Sequence, residues 1–161
     1  MTGREACLNT ALRLLTRRDH SCAELRAKLV QRGYADEQIE PVLAKCRRLN
    51  YLDDARFALG LLNSLRRRGY GRLRIAHRMQ AKGLSRRLVD TVLEDHYPVS
   101  AQLADCREAL ARKAGRSGAS QGDANWKRKL YRFLLQRGFA SDLINEAFND
   151  GGRWAGEEPS T

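Results

Sequence analysis

No uncharged apolar run in this chain is longer than the stretch Phe57 to Leu62, counting Gly60. A helix that crosses a bilayer needs roughly 20 such residues, so a membrane span is excluded. The first residues carry Arg4, Glu5, Arg13 and Arg17 where a signal peptide would place its apolar segment. The expected location is cytoplasmic, with no membrane partner. Val, Ile and Thr are sparse and no stretch alternates with period two, which excludes a sheet. Cys7, Cys22, Cys46 and Cys106 form no CxxC pair, so zinc-ribbon and thioredoxin-like chemistry are excluded. Each sits among helical apolar positions and reads as a buried small hydrophobe.

Enzyme signatures are missing as well. There is no P-loop, HExxH, GxSxG, EF-hand loop, or GxGxxG in a strand–helix setting. His20 flanks a capping serine, and His77 and His96 lack Cys, Asp or Glu at ligand spacing. Asp95 adjoins His96, but adjacent residues of a helix do not face each other. The conspicuous carboxylate pair, Asp53-Asp54, stands before a helix and reads as a cap plus a first-turn acid. The expectation is a non-enzyme with no catalytic, metal-binding or cofactor-binding residues and no cofactor.

What is present is a repeat. One segment reads Glu24-Leu25, Leu29, Arg32-Gly33-Tyr34, Ile39 and Val42-Leu43. Fifty residues on come Arg74-Ile75, Met79, Lys82-Gly83-Leu84, Val89 and Val92-Leu93. Fifty-five further on come Lys129-Leu130, Leu134, Arg137-Gly138-Phe139, Ile144 and Ala147-Phe148. Apolar residues four apart share a helix face. A cation followed by Gly is the signature of a helix C-terminus turning through a left-handed residue. Each copy therefore predicts a helix, a tight turn and a second helix. Ser21-Cys22-Ala23-Glu24 is a capping box, and Asp36, Ser85 and Ser141 are candidate caps for the second helices.

A further helix precedes each pair. Leu8, Ala11, Leu12 and Leu15 share a face in the first copy, and Phe57, Ala58, Leu61, Leu62 and Leu65 do so in the second. Leu103, Cys106 and Leu110 do so in the third, where Ser100 is the candidate cap. The predicted fold is all-α: three tandem three-helix repeats at 4–53, 54–98 and 99–150, with a polar tail at 151–161. A loop near 115–123, reading GRSGASQGD from Gly115, is expected to be flexible. Units of this size bury little apolar surface alone, so stacking into an elongated, curved, solenoid-like body is expected.

Charge is the second feature. The 161 residues hold 30 Lys+Arg against 19 Asp+Glu, a formal net charge of +11. Residues 54–98 hold ten bases and four acids, an excess of six. From Ala55 to Val89 there is no acid at all. The bases there are Arg56, Arg66, Arg67, Arg68, Arg72, Arg74, Arg78, Lys82, Arg86 and Arg87. Arg74, Arg78 and Lys82 recur every four residues and line one stripe of a helix, anchored by Ile75 and Met79. Ten bases without a local acid point to a surface for phosphate or for an acidic protein, the other reading being a solvated face with cations at helix ends.

The run Arg17-Arg18-Asp19-His20-Ser21-Cys22-Ala23-Glu24-Leu25 resembles the opening repeat of the RecX family. Tyr51-Leu52-Asp53-Asp54-Ala55-Arg56-Phe57-Ala58 is similar to that family's most recognisable motif, and Gly69-Tyr70-Gly71 with Lys82-Gly83-Leu84 to its second repeat. The resemblance implies a non-enzymatic regulator that binds the RecA–DNA filament. It would inhibit ATP hydrolysis, strand exchange and co-protease activity in recombination, DNA repair and the SOS response. It also implies non-specific contact with single- or double-stranded DNA. The ten bases from Arg56 to Arg87 are the candidate RecA or DNA contacts. Tyr51, Leu52, Phe57 and Ala58 are expected to pack between the first and second repeats, and Asp53 or Asp54 to start a helix. Asp54 and Arg56 have partner binding as their other reading.

A stand-alone, sequence-independent DNA- or RNA-binding protein is the alternative function, and an adaptor for an acidic protein a third. No recognition helix rich in Asn, Gln and Arg is present, and with no dimer seam a monomer is expected. Reversal of Arg74, Arg78 and Lys82 to Glu is expected to cost little stability, because the stripe should be exposed.

Overall fold

The computed structural model describes residues 2–116 and 124–150. Among the described residues there are nine helices and no strand. They are α1 (Gly3–Leu15), α2 (Cys22–Gln31), α3 (Asp36–Arg48), α4 (Asp54–Arg67), α5 (Arg72–Ala81), α6 (Arg86–His96), α7 (Val99–Arg116), α8 (Ala124–Arg137) and α9 (Ser141–Asp150). The order repeats as a leading helix, a second helix, a cation–Gly turn and a third helix. Gly33, Gly83 and Gly138 hold φ of +85°, +80° and +93°, the left-handed region that the C-terminal signature requires. Gly115 and Arg116 belong to α7 rather than to a loop, while 117–123 and the tail 151–161 lie outside the described residues.

The chain divides into two compact units. One comprises Met1–Leu61 with Arg78–Val92, the other Leu62–His77 with Leu93–Thr161.

In the first unit, Cys7, Ala11 and Leu14 of α1 cluster with Leu25 and Leu29 of α2, with Ile39, Val42, Leu43 and Cys46 of α3, and with Leu52. The inward seam of α1 is thus rotated from the predicted Leu8–Leu12–Leu15 face. Those three leucines are half-buried, and Leu8 and Leu15 pack at the margin of the cluster. Two small residues, Cys7 and Ala11, hold the centre, where larger side chains would not fit between packed helices. Three cysteines are buried as expected. Cys22 is half-buried, and its sulfur accepts from the Arg47 guanidinium.

The capping box at α2 forms as predicted: the Glu24 amide donates to Ser21 Oγ at 3.0 Å, and the Ser21 amide to Glu24 Oε2 at 3.3 Å. Ser85 accepts from the Leu88 amide and caps α6. The other predicted caps shift by one or two residues. The first backbone bonds run from Ile39 to Ala35, from Ile144 to Ala140 and from Gln102 to Pro98. Asp36, Ser141 and Ser100 therefore lie inside the first turn. At α3 the Gln38 side chain accepts from the Ala35 amide instead.

In the second unit, Cys106, Ala109 and Leu110 of α7 cluster with Leu130 and Leu134 of α8, with Phe139, and with Ile144 and Ala147 of α9. Gln102 is buried, and its Nε2 donates to the Tyr97 carbonyl at 2.9 Å. That bond satisfies a backbone group where Pro98 breaks the chain between α6 and α7.

Candidate functional site

The ten bases divide between the two units. Arg56, Arg78, Lys82, Arg86 and Arg87 fall in the first, and Arg66, Arg67, Arg68, Arg72 and Arg74 in the second. Several of the ten meet carboxylates among the described residues. Arg66 contacts Asp105 at 2.7 Å, Lys82 contacts Glu24 at 2.8 Å, Arg86 contacts Asp90 at 3.8 Å and Arg56 contacts Asp19 at 4.0 Å. The expectation of a base run with no acid to pair is corrected here. Its acids come from outside Ala55–Val89, where a count along the sequence does not reach. Lys82 also stands one residue past the end of α5, so the stripe it was expected to complete ends at Arg78. Ile75 and Met79 are fully buried, as an anchor requires.

Arg66 is a clasp rather than a free cation. Its Nε and Nη2 donate to the two oxygens of Asp105 on α7, and its guanidinium lies 4.7 Å from the centre of the Tyr97 ring. Burial and the neighbouring Asp105 charge push the Tyr97 hydroxyl well above its ordinary pKa. By contrast, Arg67, Arg68, Arg72, Arg74 and Arg87 form no ion pair among the described residues. Arg67, Arg68, Arg74 and Arg87 are exposed, and Arg72 is half-buried. Close by, Leu73 is exposed to 62%, so this short segment offers both charge and an apolar side chain.

In each unit, the N-terminus of a second helix seats on a cation–Gly turn. In the first unit Ser21 Oγ, before α2, donates to the Lys82 carbonyl at 2.5 Å. A Cβ on Gly83 would collide with Ala23. Glu24 then collects Lys82 Nζ at 2.8 Å and Arg18 Nη1 at 3.2 Å. In the second unit the amides of Gly71 and Leu73, at the start of α5, donate to the carbonyls of Arg137 (2.8 Å) and Gly138 (3.0 Å). A Cβ on Gly71 would strike the Gly138 backbone, and one on Gly138 would strike Arg74. Arg137 Nη1 donates to the Arg68 carbonyl at 3.1 Å, and its guanidinium lies 4.8 Å from Tyr70 and 5.1 Å from Phe133. Asp105 was not singled out from the sequence, Glu24 was read only as a capping partner, and Arg137 only as part of the repeat. Only the recurrence of the cation–Gly pair marked where two of these contacts form.

The motif at Tyr51–Ala58 is mostly interior. Leu52, Phe57 and Ala58 are buried, but Tyr51 is half-exposed at 51%, against expectation. Asp53 is the cap: its Oδ1 accepts from the amides of Ala55 (2.9 Å) and Arg56 (3.1 Å). Asp54 instead accepts from the Cys22 amide at 2.7 Å and ties the start of α4 to the start of α2. Arg56 donates to the Asn50 carbonyl at 3.2 Å, beside its pairing with Asp19. Asn50 itself holds φ of +57°, a left-handed residue that ends α3.

Among the described residues, no helix is long and apolar enough to cross a membrane. Three family models match in succession: the first three-helix domain of RecX at residues 7–46, the second at 53–93 and the third at 101–148. The chain is 34% identical to the regulatory protein RecX of Yersinia enterocolitica, covering 89% of this chain and 96% of that one. It is 37% identical to the RecX of Pelodictyon phaeoclathratiforme, covering 85% and 83%. The fold superimposes on the crystal structure of RecX from Lactobacillus salivarius with a TM-score of 0.82, at 19% identity over 92% of this chain and 96% of that one. An all-α chain of three three-helix repeats, matched in order by all three domain models and by relatives over most of their length, belongs to the RecX family of regulatory proteins.

Proposed function

We propose that this chain is a negative modulator of the RecA recombinase. It binds the RecA–DNA filament and lowers its ATPase, strand-exchange and co-protease activities without chemistry of its own. Non-specific contact with DNA accompanies that binding. It acts as a cytoplasmic monomer, with 4–53, 54–98 and 99–150 as its recurring units. The observation that carries the reading is a set of arginines without carboxylate partners among the described residues, within a chain of the RecX family. Unpaired guanidiniums repel one another and cost stability where nothing external neutralises them.

The pairing divides the ten candidates. Arg67, Arg68, Arg72 and Arg74 in one unit and Arg87 in the other, with no carboxylate partner among the described residues, are the proposed contacts to filament or DNA; Arg78, one turn after Arg74, and Arg86, whose pair with Asp90 is long and exposed, join them. Arg56, Arg66 and Lys82 are proposed to hold the fold together, since carboxylates of the chain already occupy them. The test is the DNA-dependent ATPase of RecA from the same organism, with this protein at substoichiometric amounts. The expected result is a falling rate. An unchanged rate would overturn the regulatory reading.

A further inference from the structure

We infer that Arg68, Arg74 and Arg137 form a binding site for one backbone phosphate of a nucleic-acid strand, at the position where the first unit carries the carboxylate of Glu24. The inference deepens the nucleic-acid part of the reading above and rests on it.

The two cation–Gly turns provide the comparison. A shift of fifty residues carries Arg18, Ser21 and Glu24 onto Arg68, Gly71 and Arg74. A shift of fifty-five carries Lys82-Gly83 onto Arg137-Gly138. The equivalence is structural as well: Ser21 Oγ bonds the Lys82 carbonyl, and the Gly71 amide bonds the equivalent Arg137 carbonyl. In the first unit the side chains around this contact are two cations and one acid. Arg18 and Lys82 share the Glu24 carboxylate. In the second unit the same three positions are all arginine, and none of the three meets a carboxylate among the described residues. The scaffold is kept and its anion is gone.

Two of the cations are held close, and the third side chain starts from the same turn. The guanidiniums of Arg68 and Arg137 lie 5.5 Å and 4.8 Å from the centre of the same Tyr70 ring. Arg74 is pressed against the Gly138 backbone, within the same turn contact. Charges of one sign at the first turn of α5, which holds no acid, also run against the helix dipole. A local rule broken in this way, with no carboxylate among the described residues to offset it, marks a place for a ligand. The ligand must be anionic and must accept from several forks. A phosphate oxygen set suits three guanidiniums better than a carboxylate, which two cations already satisfy around Glu24. A phosphodiester on a strand presents such an oxygen set, which favours a nucleic-acid strand over an acidic peptide.

The experiment uses the full chain and Arg74→Glu, Arg74→Ala and Arg68→Ala. Affinity for an oligothymidylate of about 12 nucleotides is measured against salt, without RecA, and melting temperature is followed with and without inorganic phosphate. Arg74→Glu restores the acid of the first unit. It is expected to melt above Arg74→Ala, to lose the stabilisation by phosphate, and to bind the oligonucleotide at least about tenfold more weakly, with a salt slope smaller by about 1. Arg68→Ala should show the same loss of slope without the gain in melting temperature. Unchanged oligonucleotide affinity and slope in Arg74→Glu and Arg68→Ala would overturn the site. So would polyglutamate competing as well as the oligonucleotide, which would assign the site to an acidic protein. Phosphate stabilising the wild type while the variants bind the oligonucleotide normally would leave an adventitious ion only. RecA ATPase inhibition is measured in parallel: its absence with the oligonucleotide result intact overturns the regulatory reading alone.

Discussion

Glu24 serves three contacts with one carboxylate. It closes the capping box of α2 and receives both Arg18 and Lys82. Burial opposes its charge, but hydrogen bonds from Arg18, Lys82 and the Ser21 amide outweigh that and hold its pKa at about 2. A carboxyl whose folded pKa lies below its unfolded value of 4.5 contributes stability that is complete above about pH 4.5 and lost as pH falls toward 2. Glu24→Gln is therefore expected to lower the unfolding free energy at pH 7 by on the order of 2 kcal/mol, a figure discounted because Arg18 and Lys82 are half-exposed. Urea titrations of both proteins at neutral pH and near pH 3 measure this. A loss that does not shrink at the lower pH would show that the carboxylate charge is not what stabilises. The capping half of Glu24 was legible, because Ser21 lies three residues away. The Lys82 half was not, because no local spacing encodes a partner 58 residues on. For the same reason Lys82→Glu is no longer expected to be harmless: it would place two carboxylates together.

At the scale of elements, sequence spacing fixes helices and their ends well, and their packing partners poorly. The repeat of apolar residues and the cation–Gly turns located all three second helices, because both signals are set within one or two turns of chain. The inward face of α1 was misread by one position, since Leu outranks Cys and Ala in apolar character but not in fit between close helices. The pairing of α4 with α7 through Arg66 and Asp105 was invisible for a similar reason: an arginine at a helix C-terminus looks the same whether it meets solvent or an acid. The clasp predicts that Arg66→Ala destabilises the fold by about 2–4 kcal/mol, because Asp105 is left partly buried and unpaired beside Tyr97. Chemical denaturation checks this, with Asp105→Asn completing a double-mutant cycle. A variant that keeps full stability and loses only filament inhibition would return Arg66 to the contact surface.

Across the whole molecule, the excess of +11 sets a long-range attraction to polyanions. It does not say how many phosphates are touched. If the proposed contact arginines of both units, together with Arg137, engage DNA, about six to ten phosphates are neutralised, and DNA affinity should fall by roughly 10³–10⁵ between 50 and 200 mM salt. Fluorescence anisotropy of a labelled duplex across that range tests it. A nearly flat response would remove DNA backbone contact as the main term and leave the filament protein as the surface recognised.

The sequence by itself determined the helical class, the threefold recurrence, the turn positions and the size of the charge excess. Those properties follow from local periodicity, from glycine's access to positive φ, and from counting. Only the tertiary structure decided which charges are spent inside the chain. An ion pair forms where folding brings two distant side chains within a few ångströms, and a guanidinium left without one is recognised only after every possible partner has been placed.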